Sequence, residues 1–130
     1  VYRTFGGLRC LITNQVFDPG RTESLEILQA LGSDPLYVRL CRAQACFRAR
    51  LTPKPWRCGI GTPPSRYPWE DYAAETDYRG WEQRYEQIIT PYAVCKLVMQ
   101  LGPAETHPDV EPVLALHDEQ TFAQDERRLA

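Results

Sequence analysis

The chain has 130 residues, of which 43% are hydrophobic and 11% aromatic, and its formal net charge is −2. This length suits one domain with a real hydrophobic core, and the composition excludes a chain that is disordered throughout. No run reaches the 18 or more apolar residues of a membrane span, and the first residues carry no signal-peptide pattern, so we predict a cytoplasmic protein without a membrane partner.

Two further features concern redox state and completeness. The five cysteines are odd in number and modest in density, which favours reduced thiols over a disulfide framework. The chain begins at Val1, and its single methionine is Met99. We therefore predict that residues 1–130 are the C-terminal portion of a longer protein. Their length, and a Pro-rich loop too short to be an interdomain linker, predict a single domain.

The first third of the chain predicts a β-hairpin followed by two helices. Residues 1–13 combine strand-forming segments with a turn at residues 5–7, which contains two glycines. Asp18, followed by a proline, predicts the start of a helix that continues to about residue 31, where Gly32 ends it. Asp34 and its following proline repeat this start signal for a second, shorter helix.

The middle of the chain predicts a strand and then an irregular loop. From residue 45 the pattern has a period of two, with Phe47 and Leu51 on one face and Arg48 and Arg50 on the other. The prolines from Pro53 onward cannot donate to a β-ladder, so we expect a loop to about residue 70.

The last third predicts helices. Asp77 is the expected cap of a helix with an apolar stripe through Trp81, Tyr85 and Ile88. The sequence from Thr90 to Gly102 predicts a second helix. A final helix is expected after Pro108. The predicted fold class is therefore α+β, a small antiparallel sheet packed against several helices.

Charge is strongly segregated along the chain. Residues 35–69 contain basic residues but no Asp or Glu, whereas residues 70–130 are strongly acidic. The basic residues of the middle segment are Arg39, Arg42, Arg48, Arg50, Lys54, Arg57 and Arg66. Like charges in one segment repel each other unless an anion or the protein's own carboxylates neutralise them.

These observations predict a site for phosphate groups of a nucleotide or nucleic acid. Guanidinium groups match phosphate oxygens, and an indole ring offers a face for stacking. The predicted binding residues are Arg48, Arg50, Lys54, Trp56, Arg57 and Arg9. The alternative is a structural or protein-interaction domain whose basic strand pairs internally with Glu75, Glu82 or Glu86.

Other reactive residue types do not form a recognisable site. Cys41, Cys46 and Cys58 lack the close paired spacing of structural zinc ligands, so we predict packed thiols and no metal site. Cys95 lies in an apolar run and is expected to be buried and inert, and His117 and Asp118 are expected to be a helix-surface pair. The sequence identifies no cofactor, and it leaves catalysis and oligomeric state open.

Two segments resemble known families. Residues 34–37, followed by the string Phe47–Cys58, resemble a signature of a bacterial and plant protein family that has no assigned function. Residues 2–9 are more faintly similar to the strand-turn-strand of archaeo-eukaryotic-type primases and their replication relatives. In those enzymes a histidine binds nucleotide where this chain has Arg9. The second resemblance implies that the chain is the nucleotide-facing remainder of a nucleotidyl-transfer enzyme, with the metal-binding acidic residues upstream of Val1.

Overall fold

A computed structural model describes residues 1–102 and 105–130 and confirms the α+β class. The helices are α1 (Thr22–Ala30), α2 (Pro35–Gln44), α3 (Tyr72–Ile89) and α4 (Glu111–Thr121). The strands are β1 (Tyr2–Thr4), β2 (Gly7–Arg9), β3 (Tyr92–Ala93), β4 (Cys95–Leu97) and β5 (Arg128–Leu129). No helix in the described ranges combines the length and apolar character needed to cross a bilayer.

The chain divides into two compact units. Unit 1 comprises Val1–Leu11, Leu51–Gly102 and Ala115–Ala130, and unit 2 comprises Ile12–Arg50 and Pro103–Leu114. The single-domain organisation stays a prediction.

Unit 1 contains both sheets. The predicted hairpin is confirmed as β1 and β2, and β4 pairs with the other edge of β1 to give an antiparallel sheet in the order β2-β1-β4. The short strands β3 and β5 pair in parallel. The end of α4 is joined to these strands because Val94 donates its backbone N–H to the carbonyl of Thr121. The buried residues Tyr2, Ala93, Cys95 and Thr121 accordingly lie where sheet and helix meet.

Helix α3 is longer than the sequence pattern indicates. The Asp71 carboxylate accepts the backbone N–H of Ala74, as an N-cap should, so the predicted cap at Asp77 is wrong. No helix breaker lies between the two aspartates, and the upstream cap therefore begins the helix. The predicted apolar stripe is confirmed at Trp81 and Tyr85, which lie four residues apart and are both buried, but it is wrong at Ile88, which is 37% exposed.

Unit 2 contains α1 and α2, and both predicted helices are confirmed. Asp34 caps α2 by accepting the backbone N–H groups of Leu36 and Tyr37. Asp18 stabilises the approach to α1, since its carboxylate accepts the N–H of Gly20 over 2.8 Å. Helix α1 itself begins at Thr22, three residues later than the sequence pattern indicates.

The predicted strand over residues 45–51 is wrong. Helix α2 ends at Ala45 in the left-handed conformation, with φ of 45°, and residues 46–50 have no regular structure. Phe47 is 40% exposed, and Ala49 is exposed as well, so the expected buried face does not exist. An alternating pattern makes a strand only where a neighbouring strand supplies hydrogen bonds, and none pairs with this segment in the described chain.

The predicted helix from Thr90 to Gly102 is also wrong. This region forms β3 and β4, and β4 pairs with β1. Its Tyr, Val and Cys residues suit a buried strand, and pairing with a distant hairpin overrides the local start signal at Thr90. The predicted final helix is confirmed as α4, which begins at Glu111, where the N–H groups of Val110 and Glu111 both reach the His107 carbonyl.

Candidate functional site

The Pro-rich loop of unit 1 is held by α3 at two points. The Tyr85 hydroxyl donates a hydrogen bond to the Pro53 carbonyl, and the Trp81 indole N–H donates to the Gly61 carbonyl over 2.8 Å. Both donors lie on the buried stripe of the helix. Residues 54–60, which carry much of the predicted binding site, therefore lie between two fixed backbone positions.

Within this segment a short 3-10 helix, Pro55–Arg57, separates buried from exposed side chains. Pro55 and Cys58 are buried, whereas Trp56 is 58% exposed. The N–H groups of Cys58 and Ile60 both reach the Pro55 carbonyl, which closes the turn. Burial also raises the pKa of the Cys58 thiol, so this sulfur is a packed neutral group.

Two cations of this loop lie over exposed aromatic rings. The Lys54 ammonium lies 5.4 Å from the centroid of the Trp56 ring, and the Arg57 guanidinium lies 4.4 Å from that of Phe5. Both distances fall within the range of cation–π attraction. Phe5 remains 60% exposed despite this contact. We call these four residues the cation–aromatic surface.

Phe5 is the member that the sequence did not indicate. It lies in the turn between β1 and β2, next to Gly6, and a Cβ placed on Gly6 would lie at an ordinary contact distance of 3.5 Å from Nη2 of Arg57. An aromatic residue beside glycines in a hairpin turn is a weak signal by itself. Only the fold brings it to a loop 50 residues away in the chain.

Among the described residues, the cations of this surface have no carboxylate partner. Within the described residues, neither Lys54 nor Arg57 forms an ion pair. Glu75 and Glu82, two of the acidic residues considered for internal pairing, instead flank Arg79 at 3.7 and 2.9 Å. Lys54 and Arg57 are half-buried residues, and no carboxylate of the described chain lies within ion-pairing distance of either.

Arg48 and Arg50 belong to unit 2. Both are exposed, and the backbone N–H of Arg48 lies 3.4 Å from the Tyr37 hydroxyl, which accepts it. Because residues 46–50 form no strand, these arginines do not share a strand face. Their participation in binding stays a prediction that rests on their charge and exposure.

Arg9 lies in a different setting, a polar cluster in the core of unit 1. Its Nη1 lies 2.8 Å from Nε2 of His117 and 3.8 Å from Sγ of Cys95. A guanidinium only donates, so Nε2 accepts, and the proton of the neutral imidazole lies on Nδ1. The Nδ1–H then donates to the Asp118 carboxylate over 2.8 Å.

Tyr2 completes this cluster from β1. Its hydroxyl donates to the same carboxylate oxygen of Asp118 over 2.7 Å, and its ring packs edge-on against His117. Burial, together with this hydrogen bond, raises the pKa of Tyr2 well above its usual range. His117 is only 4% exposed, so the expected helix-surface pair is wrong. Through their hydrogen bonds to Arg9 and Tyr2, His117 and Asp118 instead connect α4 to the sheet.

The cluster contains a thiol, an imidazole and a carboxylate, the residue types of a nucleophilic site. The Cys95 sulfur lies 3.9 Å from Nε2 of His117, a long contact even for sulfur, and the Arg9 guanidinium already donates to that nitrogen over 2.8 Å. Cys95 is also fully buried, as the sequence predicts. We therefore interpret the cluster as a hydrogen-bonded connection between β1, β2, β4 and α4.

The cysteines considered as metal ligands belong to different units. Cys41 is buried in α2 and Cys46 is exposed just after it, both in unit 2, whereas Cys58 belongs to unit 1. Across residues 1–102 and 105–130, no group of three or more His, Cys, Asp or Glu side chains is arranged to hold a metal ion.

No protein-family model, curated protein or solved structure matches this chain.

Proposed function

We propose that the protein binds phosphate-bearing ligands, nucleotides or nucleic acid, through the cation–aromatic surface. The observation that carries this proposal is the pair of half-buried cations, Lys54 and Arg57, each lying over an exposed ring and neither ion-paired within the described residues. A phosphate supplies the negative charge that the protein does not, and charge-assisted hydrogen bonds to it are strong.

The surface is also preorganised. The hydrogen bonds from Tyr85 and Trp81 fix the loop on both sides of residues 54–60. The backbone therefore has little conformational freedom left to lose on binding. The exposed Arg48 and Arg50 add positive charge to the protein, and they support diffusional capture of an anion.

Direct binding of inorganic polyphosphate tests this proposal by calorimetry at low and at moderate salt. We expect binding that weakens steeply with salt, and a loss of about tenfold in affinity for the double variant Lys54→Gln/Arg57→Gln. The matched control is Arg79→Gln, which removes an exposed cation of the same unit that already has carboxylate partners. Absence of binding at low salt, or equal losses in both variants, would refute the proposal.

Arg48 and Arg50 are tested separately. Replacing both with Ala should reduce polyphosphate affinity if unit 2 contributes to the same ligand. Because exposed charges contribute only about 0 to 1 kcal/mol to stability, the thermal melt should change little. Unchanged affinity would restrict binding to the cation–aromatic surface.

A further inference from the structure

We infer that the preferred ligand is a single-stranded nucleic acid whose bases stack on Phe5 and Trp56. This inference rests on the proposed phosphate binding and specifies its ligand class. The two rings are 60% and 58% exposed, although each is large and apolar and each has a cation at its face. Leaving such apolar rings in water costs free energy. A base stacked on the face opposite the cation would cover the ring, and the phosphate of that nucleotide would contact the cation.

The arrangement of the rings favours a strand over a mononucleotide. One ring belongs to the β1–β2 turn and the other to the 3-10 helix Pro55–Arg57, and each has its own cation. Each ring-and-cation pair offers one aromatic surface and one positive charge, so two pairs suit two nucleotides of one strand. A single nucleotide supplies one base and so occupies one pair only.

The same geometry disfavours a duplex. Bases in a duplex are stacked on each other and expose only their edges in the grooves, so they present no face to an aromatic ring. Single strands present both faces, and aromatic stacking tolerates any sequence because every base has a π-face. We therefore expect the protein to prefer single-stranded over double-stranded nucleic acid, and to show only a weak preference for base sequence.

The decisive comparison uses two oligomers of equal charge. A labelled 12-nucleotide oligothymidylate and an abasic oligomer of the same length are titrated with the protein at low salt, and anisotropy reports binding. The two oligomers differ only in the presence of bases. Because each stacked base contributes about one kcal/mol or more, we expect the oligothymidylate to bind at least tenfold more tightly. Equal affinities would overturn the inference while leaving phosphate binding intact.

Single substitutions of the two rings test where the bases stack. Trp56→Leu and Phe5→Leu keep apolar bulk but remove the π-face, so each should lose about five- to tenfold in affinity for oligothymidylate and almost none for the abasic oligomer. The matched control is Tyr72→Leu, which removes an aromatic ring that is 83% exposed on α3. Thermal melts confirm that each variant is folded. If the leucine variants weaken both oligomers equally, or if Tyr72→Leu has the same effect, the rings do not stack bases.

Two further ligands separate the remaining alternatives. A duplex of the same length should bind less tightly than the single strand, and an acidic peptide of equal charge should not compete. Tighter duplex binding, or efficient competition by the peptide, would overturn the choice of ligand. If neither oligomer nor polyphosphate binds at low salt, the proposed function itself fails, which is distinguishable from failure of the stacking alone.

Discussion

Tyr85 on α3 donates its hydroxyl hydrogen to the carbonyl of Pro53 at the start of the loop that bears the cation–aromatic surface. This bond is buried and joins residues 32 positions apart in the chain. A buried carbonyl that loses its only donor pays a desolvation cost. The contact therefore links the stability of α3 to the geometry of the proposed binding loop.

The first prediction concerns this bond. Tyr85→Phe removes the hydroxyl and keeps the ring, so the free energy of unfolding should fall by about 1 to 3 kcal/mol in urea titrations. Tyr78→Phe is the matched control, because the described structure shows no hydrogen bond from that hydroxyl on the same helix. Equal losses in the two variants would show that the Pro53 contact adds nothing.

The second prediction concerns the cluster around His117. His117→Ala leaves the Asp118 carboxylate and the Arg9 guanidinium without their shared partner, so we expect a loss of about 3 kcal/mol in the free energy of unfolding. His107→Ala serves as the control, since that ring is more exposed, and it should cost below about 1 kcal/mol. A small loss for His117→Ala would mean that the cluster does not connect α4 to the sheet.

The third prediction concerns alkaline pH and Tyr2. The folded protein holds the Tyr2 proton more tightly than the unfolded chain, whose tyrosine titrates near pH 10. Above about pH 10 the unfolded chain therefore loses this proton first, and stability should fall with rising pH by up to about 1.4 kcal/mol per unit.

The variant Tyr2→Phe isolates that contribution from the other tyrosines and the lysines. It loses the hydrogen bond to Asp118 and should be less stable at neutral pH, but its stability should decline less steeply above about pH 10. Denaturant titrations at closely spaced pH values measure both slopes. Parallel slopes in the two proteins would contradict a raised pKa for Tyr2.

The fourth prediction compares two aromatic positions. The strand pattern implied that Phe47→Ala would leave a core cavity and cost about 3 to 5 kcal/mol. Phe47 is 40% exposed in a segment without regular structure, so we now expect a loss of below about 1.5 kcal/mol. Trp81→Ala, at a buried ring that also anchors Gly61, should cost about 3 to 5 kcal/mol. Similar losses by thermal or urea unfolding would contradict the observed burial.

The sequence determined the features that depend on neighbouring residues. The hairpin at residues 1–13 follows from strand-forming residues around a glycine turn, and α2 follows from Asp34 and its proline, which cap and preset the first turn. The stripe through Trp81 and Tyr85 follows from helical spacing. The charge segregation was equally visible, and it identified the loop that contains Lys54 and Arg57.

Only the tertiary structure decided which distant segments meet. Residues 95–97 became a strand because β1 offered an edge to pair with, and residues 92–93 because β5 did. Residues 46–50 had the alternating pattern but no partner strand in the described chain. The contact of Arg57 with Phe5 and the burial of His117 against Tyr2 likewise join segments far apart in the chain. Pairing energy and burial depend on what lies across a contact, and local sequence does not specify this.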